Sequence, residues 1–147
     1  MIKTRERTDK KKHNRALSKK SLKRQAWDAF SQYIRLRDCL ETTGCPSFGL
    51  CITCGKKYHF KLLQAGHFIP GRNNNNLFSE EGTHAQCYNC NINLKGNTLE
   101  YRRQIIQLYG EGADERLEAE ARVVKQFKKH ELVAIKENYI QKVKELQ

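Results

Sequence analysis

Residues 51–90 read CITCGKKYHFKLLQAGHFIPGRNNNNLFSEEGTHAQCYNC, and the two ends of this stretch decide the fold. Cys51 and Cys54 form one Cys-x-x-Cys pair, Cys87 and Cys90 form a second, and 32 residues separate them. One such pair presents two thiolates to a tetrahedral ion, and two pairs close a four-sulfur zinc site. Gly55, directly after the second cysteine, suits the sharp turn that folds a knuckle back. A structural zinc ties the ends of the intervening segment together and fixes the geometry of Gly66-His67 inside it. Two kinds of protein fit this frame: a small nuclease scaffolded by the metal, and a plain zinc-ribbon binding module.

Inside the frame, Lys57–Phe60 and Leu62–Pro70 read as short strands, the second stopped by Pro70-Gly71. Asparagines 73–76 disfavour helix and strand alike, so residues 72–76 read as a flexible polar loop beside the site. Thr83–Gln86 then returns the chain to the second knuckle. Before the frame, Leu22, Ala26, Ala29, Phe30, Tyr33, Ile34 and Leu36 recur at helical spacing, with Trp27 near the stripe. Ser18 or Ser21 is the expected N-cap, and the helix is expected to end near Asp38, before ETTGCPSFG. Its apolar face is expected on the zinc core, with Lys23, Arg24, Arg35 and Arg37 left on other faces for solvent or phosphate.

After the frame, Leu99, Ile105, Ile106, Leu108 and Tyr109 mark a helix stopped by Gly110 and Gly112. Leu117, Ala121, Val124 and Phe127 mark a second over about residues 113–128. Leu132, Ile135, Tyr139, Val143 and Leu146 mark a third over about 131–146, a stripe short enough to pack against its own domain. The chain thus divides into a flexible basic arm (1–17), a basic amphipathic helix (18–38), a zinc-knuckle core (39–100) and a C-terminal helical segment (101–147). The fold class is α+β. Only 38% of the 147 residues are hydrophobic against 30% charged, so the core is modest and a metal staple is expected.

Charge points to the partner. The net charge is +12, and residues 1–24 carry eleven Lys/Arg against Glu6 and Asp9. Such a basic cluster is the electrostatic footprint of a nucleic-acid binder. Lys10, Lys11, Lys12, Arg15, Lys19, Lys20, Lys23 and Arg24 are the candidate phosphate contacts, joined by Arg72 and Lys95 near the frame. The opening MIKTRERTDKKKHNR has charge and no apolar run, and nothing approaches the roughly 20 apolar residues of a membrane helix. The expectation is a cytoplasmic protein without a membrane partner. A reducing compartment favours metal-bound thiolates over disulfides. Cys39 and Cys45 match no zinc spacing and read as buried or free thiols.

Hydrolysis of a phosphodiester takes an activated water, a cation to offset charge on the phosphorane, and stabilisation of the leaving oxygen. Histidine suits the first task, because its ordinary pKa lies near neutrality. A hard divalent cation, magnesium or manganese, suits the others. His67 is the expected base. Asn91, placed by the second knuckle, offers an amide oxygen to the cation, or else caps the following helix. His84 lies three residues before Cys87 and is a further catalytic candidate, either near the same cleft or orienting His67. His13, His59 and His130 have no assigned chemistry.

The segment AGHFIPGRNNNNLFSEEGTHAQCYNCNINLKGN resembles the core of the HNH (ββα-metal) nucleases. More closely, residues 51–146 look like the NinG (Rap) family of lambdoid-phage recombination endonucleases, through CITCG, AGHF, Phe78-Ser-Glu, THAQCYNCN, KGN, LEYR and LYG in that order. The resemblance implies a small zinc-stabilised ββα-metal core and metal-dependent cleavage of branched DNA such as Holliday junctions and D-loops. It implies a phage-encoded protein working in the bacterial host beside other phage recombination proteins. Carried over, His67 is the base, Asn91 a metal ligand, and the four cysteines hold structural zinc. Gly66 stands where many HNH proteins have an acidic metal ligand, Gly82 where they have the central asparagine, and Asn91 where they have a final histidine. Asn93 or Glu80 is then expected to complete the shell with His67 and Asn91. Two other readings remain: a non-catalytic zinc module that binds branched DNA and loads a partner, and a sequence-specific HNH enzyme of restriction or homing type.

Overall fold

The computed structural model of the protein describes residues 17–71 and 73–147. The expected contacts Lys10, Lys11, Lys12, Arg15 and Arg72 lie outside the described residues. Ser18 is the first cap: its hydroxyl accepts the Ser21 N–H at 3.1 Å, opening helix α1 (Lys19–Thr43). The helix runs past Asp38 and stops at Gly44, whose φ of +72° lets its N–H bond the Leu40 carbonyl at 2.9 Å. Asp38 looks like a helix terminator in the sequence but is buried, because it is needed elsewhere in the fold.

Strands β1 (Phe48–Leu50) and β2 (Lys57–His59) pair antiparallel across the first knuckle, with Leu50 opposite Lys57. A turn of 3₁₀ helix over Phe60–Leu62 leads into β3 (Leu63–His67). This strand pairs antiparallel with β4 (Thr83–Cys87), Leu63 opposite Cys87 and His67 opposite Thr83. The strands expected over Lys57–Phe60 and Leu62–Pro70 are present in shorter form. After β4 come a wide π turn (Asn89–Asn93) and the helices α2 (Thr98–Tyr109), α3 (Ala113–Ala121) and α4 (Lys129–Leu146).

Helix α1 packs chiefly on α4, and only in part on the β3–β4 hairpin. Leu22 meets Leu132 and Phe127, while Phe30 and Ile34 meet Tyr139, so the two helices lie side by side in the same direction. The C-terminal stripe therefore folds onto its own chain. Helix α3 ends at Ala121 instead of Lys128, and the chain leaves it to bury Phe127 against Leu22 and Leu132. Arg37 and Asp38 close the outer edge of β4. Arg37 donates to the Glu80 and Thr83 carbonyls at 2.9 Å each, and Asp38 Oδ2 accepts the Ala85 N–H at 2.7 Å. An unpaired strand edge is thereby satisfied by side chains of the helix across it. Arg37 is thus committed to the fold, and Arg35 lies over the Phe60 ring at 4.5 Å; neither stands free for phosphate.

Candidate functional site

The knuckles bring four sulfurs together. Those of Cys51, Cys54, Cys87 and Cys90 all lie within 4.8 Å of one another, and Cys54 Sγ is 3.9 Å from Cys87 Sγ. A tetrahedron with the usual Zn–S bond of about 2.3 Å has sulfurs about 3.8 Å apart. The cluster can hold a structural metal such as zinc. Its surroundings donate toward sulfur: Thr53 Oγ1 is 3.3 Å from Cys51 Sγ, the Cys90 N–H points at Cys87 Sγ, and Asn97 Nδ2 points at Cys90 Sγ. Such donors orient and stabilise thiolate ligands. Burial works against ionisation of Cys51, but hydrogen bonds from the Cys54 backbone, Thr53 and the Cys87 backbone outweigh it and bring the thiol to about 7. Burial and the neighbouring Cys51 and Cys87 sulfurs push Cys54 up to about 12. Four thiolates this close would repel one another, and a bound cation would offset that charge. Cys39 and Cys45 join no such group: Cys39 is buried beside Leu63 and Ala85.

His67 ends β3 on the face turned to α1. Its Nε2 is 3.0 Å from the Leu77 carbonyl, and its ring stacks on Trp27. A carbonyl only accepts, so in this pairing Nε2 carries a proton. The asparagine run is not a free polar loop. Asn76 is buried, with its Nδ2 on the Ile69 carbonyl at 3.2 Å, and Leu77 beside it is buried too. That anchoring sets the carbonyl on which His67 rests.

The opposite face of the hairpin is polar. Asn91 Nδ2 donates to Gln64 Oε1 at 2.8 Å, which turns Asn91 Oδ1 toward Gly66. Gln86 is fully buried; its Nε2 donates to Thr53 Oγ1 and to the Gly96 carbonyl at 3.2 and 3.0 Å, and its Oε1 has no partner. A Cβ on Gly66 would lie 2.0 Å from that Oε1 and 3.1 Å from Asn91 Oδ1, so glycine is required here. Tyr101 holds the Gly66 carbonyl from α2 at 2.6 Å. These neutral amide oxygens suit a hard cation that keeps most of its waters and leans on phosphate oxygens. Among the described residues no carboxylate joins them: Glu80 is bound to Tyr139 and Lys142 at 2.9 and 2.7 Å. Asn93 is exposed and donates to Asn89.

The other expected residues scatter. His84 is 4% exposed, with Nδ1 at 3.2 Å from Asp38 Oδ2 and Nε2 at 2.9 Å from the Tyr109 hydroxyl. It joins the clasp on β4, away from His67. A cleft of about 580 Å³ opens beside it, walled by Glu41, Thr53, Gln104 and Tyr109 among others, and takes in neither His67 nor Asn91. Lys19, Lys20, Arg24 and Lys95 are exposed and Lys23 is half-buried. Lys95 sits in a left-handed turn, φ +51°, at the foot of the π turn.

The described residues thus define an α+β protein with a cluster of four cysteines that could hold a metal ion and a β-hairpin carrying a half-buried histidine. A family profile described as "Bacteriophage Lambda NinG protein" matches residues 2–147, and the chain belongs to that family. It is 33% identical over 129 residues to "Protein ninG" of Salmonella phage P22, covering 84% of this chain and 56% of that one. It is 32% identical over 124 residues to "Protein ninG" of Escherichia phage lambda (84% and 56%) and of Escherichia phage 933W (84% and 57%). The chain spans a little over half the length of these curated relatives. No solved structure matches it. Among the described residues, no helix is long and apolar enough to cross a membrane.

Proposed function

We propose that this protein is a zinc-stabilised, magnesium- or manganese-dependent DNA endonuclease of phage recombination, acting on branched DNA such as Holliday junctions and D-loops. The observation that carries the reading is the place of His67: it ends β3 between the two knuckles, its Nε2 held 3.0 Å from Leu77 O, on a strand whose Gly66 is faced by Asn91 Oδ1. In this reading a water oxygen attacks phosphorus and its proton passes to the His67 imidazole. The P–O bond to the leaving sugar oxygen breaks, and that oxygen takes a proton from solvent. Asn91 would hold the divalent cation, which supplies charge stabilisation on the phosphoryl oxygens. His67 and Asn91 occupy opposite faces of β3, so the phosphate must lie across the strand end at Gly66-His67. The HNH-like description rests on the order of parts: hairpin, knuckle, helical turn. Lys19, Lys20, Lys23, Arg24 and Lys95 supply phosphate contacts.

A second reading, a non-catalytic zinc module binding branched DNA, is favoured by one observation: no carboxylate faces Asn91 among the described residues. Incubation of the zinc-loaded protein with labelled linear, flapped and four-way DNA, with and without magnesium, separates the two. Magnesium-dependent cleavage concentrated on branched forms is expected. Tight binding of four-way DNA with every strand intact would leave only the binding module.

A further inference from the structure

Gln86 of β4 is wholly buried yet uses only half of its amide. Its Nε2 donates to Thr53 Oγ1 and to the Gly96 carbonyl at 3.2 and 3.0 Å, while its Oε1 has no partner among the described residues. The Gly96 carbonyl only accepts, so the amide cannot be turned round, and Oε1 is held toward Gly66. Burying an acceptor without a donor is costly, and such an atom points to a water or an ion. Gly66 makes the room: a Cβ there would fall 2.0 Å from Gln86 Oε1 and 3.1 Å from Asn91 Oδ1. Two amide oxygens from different elements, β4 and the π turn, therefore face one point over β3. Tyr101 holds the strand in place beneath them through the Gly66 carbonyl at 2.6 Å. Gln64 accepts from Asn91 Nδ2 at 2.8 Å and keeps the Asn91 oxygen turned inward. Asn91 is half-buried and brings this cradle to the surface.

We infer that Gln86 Oε1 is a second oxygen ligand, beside Asn91 Oδ1, for the divalent cation of the proposed cleavage. It takes the part of the acidic side chain that Gly66 lacks, reaching the same place from the paired strand. The inference rests on the proposed function for its cation, though not for the chemistry that follows binding. Two neutral oxygens hold magnesium or manganese loosely and leave most of its waters in place, which keeps positions open for phosphate oxygens. A lone water would also satisfy Oε1, but then filling the cradle would leave cation affinity unchanged.

The test reads manganese directly, without DNA or turnover. Bound manganese broadens the amide NMR signals nearest to it, so trace amounts added to the zinc-loaded protein locate even a weak site. In the parent, the Gly66 and Asn91 signals should broaden first. Gln86→Ala removes the oxygen, and Gly66→Ala fills the cradle with a methyl. Each should need about 10- to 100-fold more manganese for the same broadening at Asn91, the scale for losing a group that supports a metal. Gly66→Asp in the Gln86→Ala background should match or exceed the parent, since a carboxylate then stands where Oε1 stood. Elemental analysis should show zinc kept throughout. Broadening that begins elsewhere, parent-like broadening in either single variant, or a double variant no more sensitive than Gln86→Ala overturns the inference. Should Gln86→Ala lose zinc, Gly66→Ala decides alone; loss of zinc in both would make the pair a packing joint and overturn the inference. If broadening follows the expected order while four-way DNA stays intact, the proposed endonuclease fails and the cation cradle stands.

Discussion

The cysteine cluster takes in Cys87 at one end of the β3–β4 hairpin, His67 and Thr83 lie at the other end, and the two ends are held by opposite means. The cluster is built locally: each knuckle delivers two sulfurs through its own tight turn, and the donors around them come from neighbouring residues such as Thr53 and Asn97. The His67 end is built from a distance, by Trp27 of α1, Leu77 of the asparagine loop and Asn91 of the π turn. The cluster has the geometry to hold an ion that would quiet the repulsion of its thiolates. The other end depends on packing and carries neutral donors. Gln86 joins them, donating to Thr53 beside Cys51 while its oxygen faces Gly66. The difference teaches that perturbing the cluster should unfold both ends, whereas perturbing the His67 end should change function and spare the fold.

The largest effect should come from the metal. Structural zinc contributes on the order of 10 kcal/mol to small zinc-built folds. Removal by a chelator, or Cys87→Ser, should abolish cooperative melting and release about one zinc per chain by elemental analysis. A Cys87→Ser protein that melts like the parent would erase the contrast at once.

Next comes the clasp that β4 shares with both ends. Burial raises the Asp38 carboxyl, but the hydrogen bonds and charges of His84 and Arg37 outweigh it and hold the group below the usual carboxylate range. A depressed folded pKa contributes stability that is present above the unfolded value of about 4 and lost as pH falls through the folded one. Asp38→Asn should cost about 3 kcal/mol at neutral pH, the scale for breaking a buried pair. In denaturant melts from pH 7 downward, its deficit should shrink below about pH 4. A deficit constant with pH would mean the charge contributes nothing.

Smaller again is the joint between the two ends. Gly66→Ala drives a methyl to within 2.0 Å of Gln86 Oε1 and should cost about 1–3 kcal/mol, the usual range for overpacking. In a Gln86→Ala background the same change should cost less by about 1 kcal/mol, since the clashing atom is gone. Additive melting temperatures across that cycle would deny the contact. The smallest effect touches neither end. Deleting residues 1–16 removes Lys3, Arg5, Arg7, Lys10, Lys11, Lys12 and Arg15. It should flatten the slope of log affinity against log salt by up to about 0.9 per lost phosphate contact. An unchanged slope would make the arm a solubilising leader.

What the sequence discloses follows the same division. The cysteine cluster was legible because a knuckle is a local object, and spacing alone states which thiols converge. The α1 and α4 stripes were legible through periodicity, and Ser18 through its capping chemistry. Asp38 was misleading: a polar residue before ETTGCPSFG reads as a helix end, yet it is buried against Ala85 and His84, a partnership no local pattern encodes. The asparagine run read as loose for a similar reason, since Asn76 is fixed by the Ile69 carbonyl. His67 was legible as a candidate but its surroundings were not. Trp27 lay only near the α1 stripe, and Leu77 contributes a carbonyl, which sequence does not reveal. Gly66, met as a departure from an acidic pattern, has its physical reason in Gln86.

The central claim is that the metal-built frame holds His67 as a base, and one preparation of His67→Ala beside the parent tests it most directly. Zinc content, affinity for four-way DNA and cleavage rate would be measured across pH and magnesium, with Asn91→Ala alongside. The account predicts unchanged zinc and affinity, with cleavage lower by about 10²-fold or more, the scale of general-base catalysis. It also predicts an Asn91→Ala deficit partly restored by added magnesium. Parent-like cleavage by His67→Ala, with zinc and binding intact, would contradict it.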